Sequence, residues 1–314
     1  MVYVGIDVGG TGLKAGIVDE NGKVLNKCTC PTGVERGHEA VINDMAHLAL
    51  QAIEEGGFTL DDVKAIGVGI PGIQDPKTNR IPFCTNLFWH DVPLVELMQK
   101  VIDKPVYVGN DATVAGLAEA VAGVSAGVKD SVFITLGTGV GGGIVIDGKP
   151  YSGAHGVGSE IGHMIVVAGG EMCTCGNQGC WERYASATAI IRMGREVAEK
   201  SPACGIAKAV GGDLSKITAK TVIDLAKAGD PDAVKVFDQY VYYLCVGLIS
   251  IINMIDPEMI VLGGGVSAAG EFLLNAVREK MKDLVFYKSM EYAKIELAVL
   301  GNDAGIIGAA MLGK

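Results

Sequence analysis

The chain has 314 residues, of which 49% are hydrophobic and 20% charged, so it can form two globular domains and is neither disordered nor fibrous. Its formal net charge of -10 at pH 7 argues against nucleic acid as a main partner, because phosphate backbones attract lysine and arginine.

The N-terminal sequence, Met1 to Asp7, lacks the basic and apolar segments of a secretion signal. The longest apolar run, Tyr243 to Ile255, is short for a bilayer and predicts a buried helix. We therefore expect a cytoplasmic protein that has no membrane partner.

Two apolar runs, Val2 to Ile6 and Ala15 to Val18, flank a glycine-rich turn and predict a hairpin. Glycine N–H groups can point at an anion, the Thr11 hydroxyl can donate to it, and Lys14 adds positive charge. The pattern indicates a phosphate-binding turn, with a plain glycine-rich hairpin as the alternative. Its candidate residues are Gly9, Gly10, Thr11, Gly12 and Lys14.

The rest of the first lobe is predicted to contain a helix over 39–55 and a strand over 65–70. Residues 85–90 are polar and aromatic and predict a loop. In that loop, Asn86 can bond a ligand hydroxyl, and Trp89 can either face a ligand or pack in the core.

A further strand, Pro105 to Val108, leads to Asn110 and Asp111 and then to a predicted helix over 112–122. Asn110 is a typical N-cap. Asp111, at the end of a strand and beside a helix N-terminus, can accept a proton from a hydroxyl nucleophile. Capping alone is the alternative for both residues.

The first turn has a second copy. The segment Gly137 to Val145 matches Gly10 to Val18 at its three leading and three trailing positions, and it follows an apolar run, Val132 to Leu136. Such similarity indicates a duplicated unit. We expect two phosphate-binding hairpins facing one another across a cleft that holds a nucleoside triphosphate; the second uses Gly137, Thr138 and Gly139.

Three cysteines and one histidine lie within the segment Gly158 to Glu182, and the set comprises His163, Cys173, Cys175 and Cys180. Three thiolates and an imidazole favour a closed structural zinc site, with buried free thiols or a disulfide as the alternatives. Two carboxylates, Glu160 and Glu182, bracket the set. Held rigidly by the metal, they suit a ligand with many hydroxyl groups.

Beyond this segment, helices are predicted over 184–200, 219–228 and from 231 to 253. A strand, Met259 to Leu262, ends in Gly263, Gly264 and Gly265, which can admit a flat adenine ring or form only a tight turn. A helix reaching Leu312 is predicted to return to the first lobe.

The chain resembles the ROK group of bacterial sugar kinases, and its glucokinases most. The features that carry the resemblance are the two hairpins, the helix start at Asn110-Asp111 and the motif Cys-x-Cys-Gly-x-x-Gly-Cys-x-Glu over 173–182. The resemblance covers nearly the whole chain. It implies an α/β fold of the two-lobed actin-like ATPase type (a duplicated ribonuclease H-like fold) with the ligand cleft between the lobes. The small lobe is expected to contain residues 1–108 and about 300–314, and the large lobe 109–299.

The resemblance also implies ATP and Mg²⁺ as cofactors, with Asp7 and the two hairpins around the phosphates and Gly263 to Gly265 near the nucleoside. It implies Asp111 as catalytic base and structural Zn²⁺ on the four Cys and His residues. The sugar hydroxyls would be bound by Asn86, Asn110, Asp111, Glu160, His163 and Glu182. The expected reaction is phosphorylation of glucose at O6, by a homodimer or homotetramer.

There are two departures from the family pattern: Ser159 replaces a usual glycine, and 88–90 differ from the common Pro-Gly-Trp. The second lies in the loop expected near the sugar, so it bears on the identity of the substrate. A kinase for mannose, fructose or an N-acetylhexosamine such as N-acetylmannosamine is the alternative, followed by a polyphosphate-using glucokinase. A sugar-sensing regulator would carry an N-terminal helix-turn-helix, which the immediate first strand and the acidic charge argue against.

Overall fold

The computed structural model describes all 314 residues. The strands are β1 Val2–Val8, β2 Gly12–Val18, β3 Val24–Pro31, β4 Val63–Ile70, β5 Ile81–Cys84, β6 Trp89–Val92, β7 Val106–Asn110, β8 Ser131–Leu136, β9 Val140–Ile146, β10 Lys149–Tyr151, β11 Met259–Gly263 and β12 Lys294–Leu297. The helices are α1 His38–Glu55, α2 Leu94–Gln99, α3 Asp111–Ala122, α4 Glu182–Ala185, α5 Ala187–Lys200, α6 Gly205–Ala209, α7 Ala219–Lys227, α8 Pro231–Ile255, α9 Glu271–Leu284 and α10 Ala304–Met311.

Two five-stranded sheets share one strand order. The first runs β3-β2-β1-β4-β7 and the second β10-β9-β8-β11-β12. In both sheets, the first three strands in the chain occupy one side in reverse order, and the next two follow on the other side. The predicted duplication is therefore present at the level of topology as well as in the glycine motif.

Contacts divide the chain into two units. The first is Met1–Phe133, Gly143–Ser159 and Ala298–Lys314, and the second is Ile134–Gly142 and Glu160–Leu297. In this division α3 groups with the first unit, whereas the predicted lobe boundary at residue 108 placed it with the second. The reason is close packing of α3 on α10: a methyl group on Gly308 would lie 1.6 Å from the carbonyl oxygen of Val114.

Within the first unit, β1 separates two layers of the core. Alternate residues of a strand point to opposite faces, so Val4 and Ile6 join the cluster that contains α1, while Tyr3 joins the one that contains α10. Gly5 lies on the α10 face, where a methyl group would meet the carbonyl oxygen of Ile306 at 1.9 Å. The final helix therefore packs on β1 in this unit, and the contact requires glycine.

In the second unit, the predicted helix over 184–200 is interrupted. Ser186 has extended backbone angles and accepts a hydrogen bond from the N–H of Ala189 at 3.2 Å, so α4 ends before it and α5 begins after it. The structure also adds α9, which no sequence pattern predicted.

The 25-residue helix α8 is long and apolar enough to cross a membrane by length and composition alone. In the fold, 56% of its most apolar window is buried. Its fully buried residues Tyr240, Leu244 and Leu248 lie on one face, as in a core helix. This agrees with the buried helix predicted over 243–255.

Candidate active site

Asp7 is the first charged residue of the candidate site. It follows Tyr3 and Gly5 on the α10 face of β1, since residues two apart in a strand share a face. Lys14 is its register partner on β2, and its Nζ lies 3.0 Å from Oδ2 of Asp7. The lysine predicted to bind phosphate is thus paired with this carboxylate.

The turn between β1 and β2 is held by a residue that the sequence analysis missed. The N–H of Gly9 donates to the carbonyl of Gly12 at 2.9 Å. Thr32, which is completely buried, donates its hydroxyl to Gly9 O at 2.6 Å and its N–H to Thr11 O at 3.2 Å. No local signal marks Thr32, because its contacts depend on the pairing of β3 with β2.

The second hairpin, defined here as residues 137–140, is anchored by the start of α5. The N–H of Ala187 donates to Gly137 O at 2.8 Å, and the hydroxyl of Thr188 donates to Thr138 O at 2.7 Å. A trans peptide directs its C=O and N–H oppositely, so the N–H groups of Thr138 and Gly139 point away from α5. Such adjacent N–H groups are suited to an anion.

The glycine run Gly263 to Gly265 begins at the last residue of β11, and its middle member has a packing explanation. Gly264 has a φ of 82°, and a methyl group on it would lie 2.6 Å from the backbone nitrogen of Leu136 in β8. A methyl group on Gly265 would meet nothing within 4 Å. A role for Gly263 to Gly265 near a nucleoside stays a prediction.

Asn110 caps α3 as predicted. Its Oδ1 accepts the N–H groups of Ala112 at 3.0 Å and Thr113 at 3.3 Å, while Nδ2 donates to Gly72 O at 3.3 Å. The exposed Asp111 begins the helix, and its Oδ1 accepts the N–H of Ala112 at 2.8 Å. A carboxylate in this position is stabilised by the helix dipole.

The segment predicted as a loop over 85–90 is instead a turn followed by β6. Asn86 is exposed in the turn, and its carbonyl oxygen lies 3.7 Å from where a methyl group on Gly10 would be. The structure therefore brings Asn86 to the first hairpin. Trp89 is only 2% exposed, so its role is core packing and not contact with a ligand. Phe88, with a φ of 56°, is 78% exposed.

Glu160 and His163 lie at the two ends of one tight turn. Glu160 is exposed, and its carbonyl accepts the N–H of His163 at 3.1 Å. The turn touches the second hairpin at Gly162, where a methyl group would lie 2.0 Å from Val140 O. Gly162 was not among the predicted residues, since its contact depends on the fold.

The predicted cysteine cluster is assembled. One ligand atom from each of His163, Cys173, Cys175 and Cys180 lies within 4.8 Å of the others. The Cys175 and Cys180 sulfurs are 3.6 Å apart, and the Cys173 sulfur is 3.7 Å from His163 Nδ1. Zinc–sulfur bonds of about 2.3 Å in a tetrahedron imply sulfur–sulfur separations of about 3.8 Å, so the set fits a zinc ion.

The three thiols of the cluster differ in pKa. Burial raises the pKa of Cys180 to about 12 and also raises that of Cys173. The N–H of Asn177 lowers the pKa of the exposed Cys175. Binding of a metal ion to these sulfurs would therefore release protons.

Glu182 connects the cluster to the second hairpin. Its Oε1 accepts a hydrogen bond from the Cys173 thiol at 3.1 Å. Its Oε2 lies 2.5 Å from where a methyl group on Gly139 would be. A carboxylate that can bind sugar hydroxyls is thus in contact with a hairpin that can bind phosphate.

The chain was compared with known proteins. A family model described as the ROK family matches residues 3–314. A glucokinase of Thermotoga maritima is 38% identical over 98% of this chain and 96% of its own length. A glucokinase of Halalkalibacterium halodurans is 37% identical over 99% of this chain and 94% of its own.

Among solved structures, a ROK family glucokinase from Streptomyces griseus, in complex with glucose and AMPPNP, matches with a TM-score of 0.81 and 35% identity over 99% of both chains. A ROK hexokinase from Thermus thermophilus matches with a TM-score of 0.85 and 32% identity over 99% of this chain and 97% of its own. The predicted actin-like α/β fold is confirmed.

Proposed function

The chain belongs to the ROK family, and from that membership we propose that it is an ATP-dependent glucokinase that phosphorylates glucose at O6. The observation that carries the proposal is the contact of Glu182 with Gly139. It places a carboxylate suited to sugar hydroxyls against a hairpin suited to phosphate. The glucose and AMPPNP bound by the Streptomyces griseus glucokinase are ligands of these two kinds.

In the proposed reaction, Asp111 accepts the proton of the 6-hydroxyl as the sugar oxygen attacks the terminal phosphorus of ATP. The bond from that phosphorus to the bridging oxygen breaks, and ADP leaves. Catalysis of this type depends mainly on positioning and electrostatics. The exposure of Asp111 and its place at a helix N-terminus, which stabilises a negative charge, support this role.

We assign the remaining residues by chemistry. Hydroxyl groups of the sugar would be bound by the amides and carboxylates of Asn86, Asn110, Glu160 and Glu182, and by His163. Asn110 has one amide hydrogen beyond its bond to Gly72 available for this role. The phosphates would be bound by Gly9 to Gly12 and Gly137 to Gly139, and the nucleoside by Gly263 to Gly265.

Mg²⁺ bound with ATP would neutralise charge on the transferred phosphoryl group, and Asp7 offers the oxygen ligand that this ion prefers. Lys14 keeps that carboxylate in place through its ion pair.

Zinc at His163, Cys173, Cys175 and Cys180 would have a structural role. Four protein ligands leave no open position for substrate. Zinc binding would remove the Cys173 proton and with it the hydrogen bond to Glu182, so the link between the metal site and sugar binding is through the chain: Glu182 lies two residues after the ligand Cys180, and a metal that fixes this segment fixes the carboxylate. Cytoplasmic location and a homodimer or homotetramer are part of the same proposal.

The test is a coupled ADP-release assay with glucose, mannose, fructose and N-acetylmannosamine, each with ATP or polyphosphate. We expect glucose with ATP to give the highest kcat/KM. Asp111→Asn should reduce kcat by at least about a hundredfold while calorimetry shows glucose binding retained.

Asp232→Asn is the matched control, since Asp232 also lies in the first turn of a helix, α8, and should keep wild-type turnover. Near-normal turnover of Asp111→Asn would exclude Asp111 as the base. A preference for another hexose would exclude glucose as the substrate.

A further inference from the structure

The second hairpin contacts α5 and the two segments that carry Glu160 and Glu182. These three contacts all lie within the second unit. The Thr188 hydroxyl bonds Thr138 O at 2.7 Å, Gly139 is in contact with Glu182, and Gly162 is in contact with Val140 O. Any displacement of the hairpin must therefore be shared with the segments that carry Glu160 and Glu182.

We propose that two contacts of the second hairpin, that of the positioning residue Thr188 with Thr138 O and that of Gly139 with Glu182, couple the binding of nucleotide to the binding of sugar. The inference rests on the proposed function, and it concerns contacts that are made by neither substrate. Nucleotide bound at the hairpin is expected to hold it more firmly in this position, and the hairpin then holds Glu182 in its sugar-binding position. By thermodynamic linkage, glucose must increase nucleotide affinity by the same factor.

Thr188 acts through a carbonyl group. Its hydroxyl holds Thr138 O toward α5, which directs the N–H of Gly139 the opposite way, toward an anion. Loss of this hydroxyl leaves the peptide free to rotate. The residue touches no reacting atom in this scheme, so its effect should be on coupling and affinity.

Gly139 acts by having no side chain, which leaves room for the Glu182 carboxylate. Its φ lies outside the left-handed region, so an alanine is compatible with the backbone. The methyl group would nevertheless lie 2.5 Å from Glu182 Oε2 and displace that carboxylate. Gly137 is the matched comparison, because a methyl group there meets nothing within 4 Å.

The experiment is calorimetric titration of glucose and of AMPPNP with Mg²⁺, each alone and in the presence of the other. We expect the wild-type protein to show a coupling factor of at least about fivefold. Thr188→Val should reduce this factor by about threefold or more, to a value close to one, as expected for one lost hydrogen bond, and Thr188→Ser should restore it. Thr221→Val, at the start of α7, is the matched control and should keep wild-type coupling.

Gly139→Ala should weaken glucose binding by at least about tenfold, whereas Gly137→Ala should affect nucleotide binding and keep glucose affinity within about twofold. Should Gly139→Ala fail to fold by circular dichroism, the Thr188 series decides the question. Wild-type coupling in folded Thr188→Val, or equal loss in Thr221→Val, would overturn the inference. A wild-type protein that binds neither ligand would overturn the proposed function as well.

Discussion

The carboxylate of Asp7 lies against Gly305, so that a methyl group on the glycine would approach Cγ of Asp7 at 2.6 Å and both oxygens at 2.9 Å. Glycine at the start of α10 is thus required by a residue of β1. We expect Gly305→Ala to displace the Asp7 carboxylate and to raise KM for MgATP by at least about fivefold, with a smaller change in KM for glucose. Steady-state kinetics with each substrate varied will measure this difference. An unchanged KM for MgATP would contradict a role for Asp7 at the phosphates.

Glu119 is a completely buried carboxylate that accepts three backbone N–H groups. Oε2 accepts Val124 N–H at 2.9 Å, and Oε1 accepts Val299 and Leu300 N–H at 2.9 and 3.0 Å. Glu119→Gln replaces one acceptor oxygen by a donor, so we expect the free energy of unfolding to fall by about 2–4 kcal/mol. Denaturant unfolding measures it. Glu96→Gln, at an exposed ion pair with Lys100, should leave the denaturation midpoint unchanged; a similar loss there would argue against the three-donor explanation.

Zinc removal should affect sugar binding more than nucleotide binding. Cys175→Ser, or a chelator, is expected to release the metal and raise KM for glucose by at least about tenfold, because the segment that carries Glu182, two residues after the ligand Cys180, loses its metal support. Metal content by mass spectrometry and steady-state kinetics test both parts. Cys204→Ser is the control, since Cys204 caps α6 outside the cluster and serine can accept the same N–H. Zinc loss with unchanged glucose binding would refute the structural role of the metal.

Alkaline pH should destabilise the protein through two buried thiols outside the cluster. Burial raises the pKa of Cys84 to about 11 and that of Cys245 to about 12 from the ordinary value of 9.0. A raised pKa means that the unfolded thiol ionises first, so this stability is complete below pH 9 and is lost as pH rises through about 11 to 12. Between those limits we expect a slope of about 1.4 kcal/mol per pH unit for each thiol. In the double variant Cys84→Ser, Cys245→Ser, unfolding between pH 9 and 11 should show a shallower slope, and an identical slope would exclude these thiols as the cause.

The sequence correctly predicted those elements that are determined by residues close to one another in the chain. The helix over 39–55 and the Asn110 cap follow from apolar spacing and from one side chain, and the structure has both. The two glycine hairpins and the cysteine cluster were also predictable, because the residues that form each of them are close in sequence.

Features that depend on distant contacts were missed. Thr32 and Glu119 bond backbone groups that arrive only when the sheet and α10 are in place, so no spacing in the sequence marks them. Trp89 was left undecided between core and ligand because an aromatic residue suits both, and its burial follows from the pairing of β5 with β6. The interruption at Ser186 also depends on a distant contact, because the N–H of the next residue, Ala187, donates to the carbonyl of Gly137.

The placement of α10 has a consequence for biosynthesis. Its residues Ile306, Ile307 and Ala310 complete a cluster with Tyr3, Val18 and Ala65, so these strands are synthesised well before the helix that completes their packing. During that interval the part of the apolar face of β1 that α10 covers is exposed. The second unit, although translated later, has all its segments available before α10 emerges and can finish folding first.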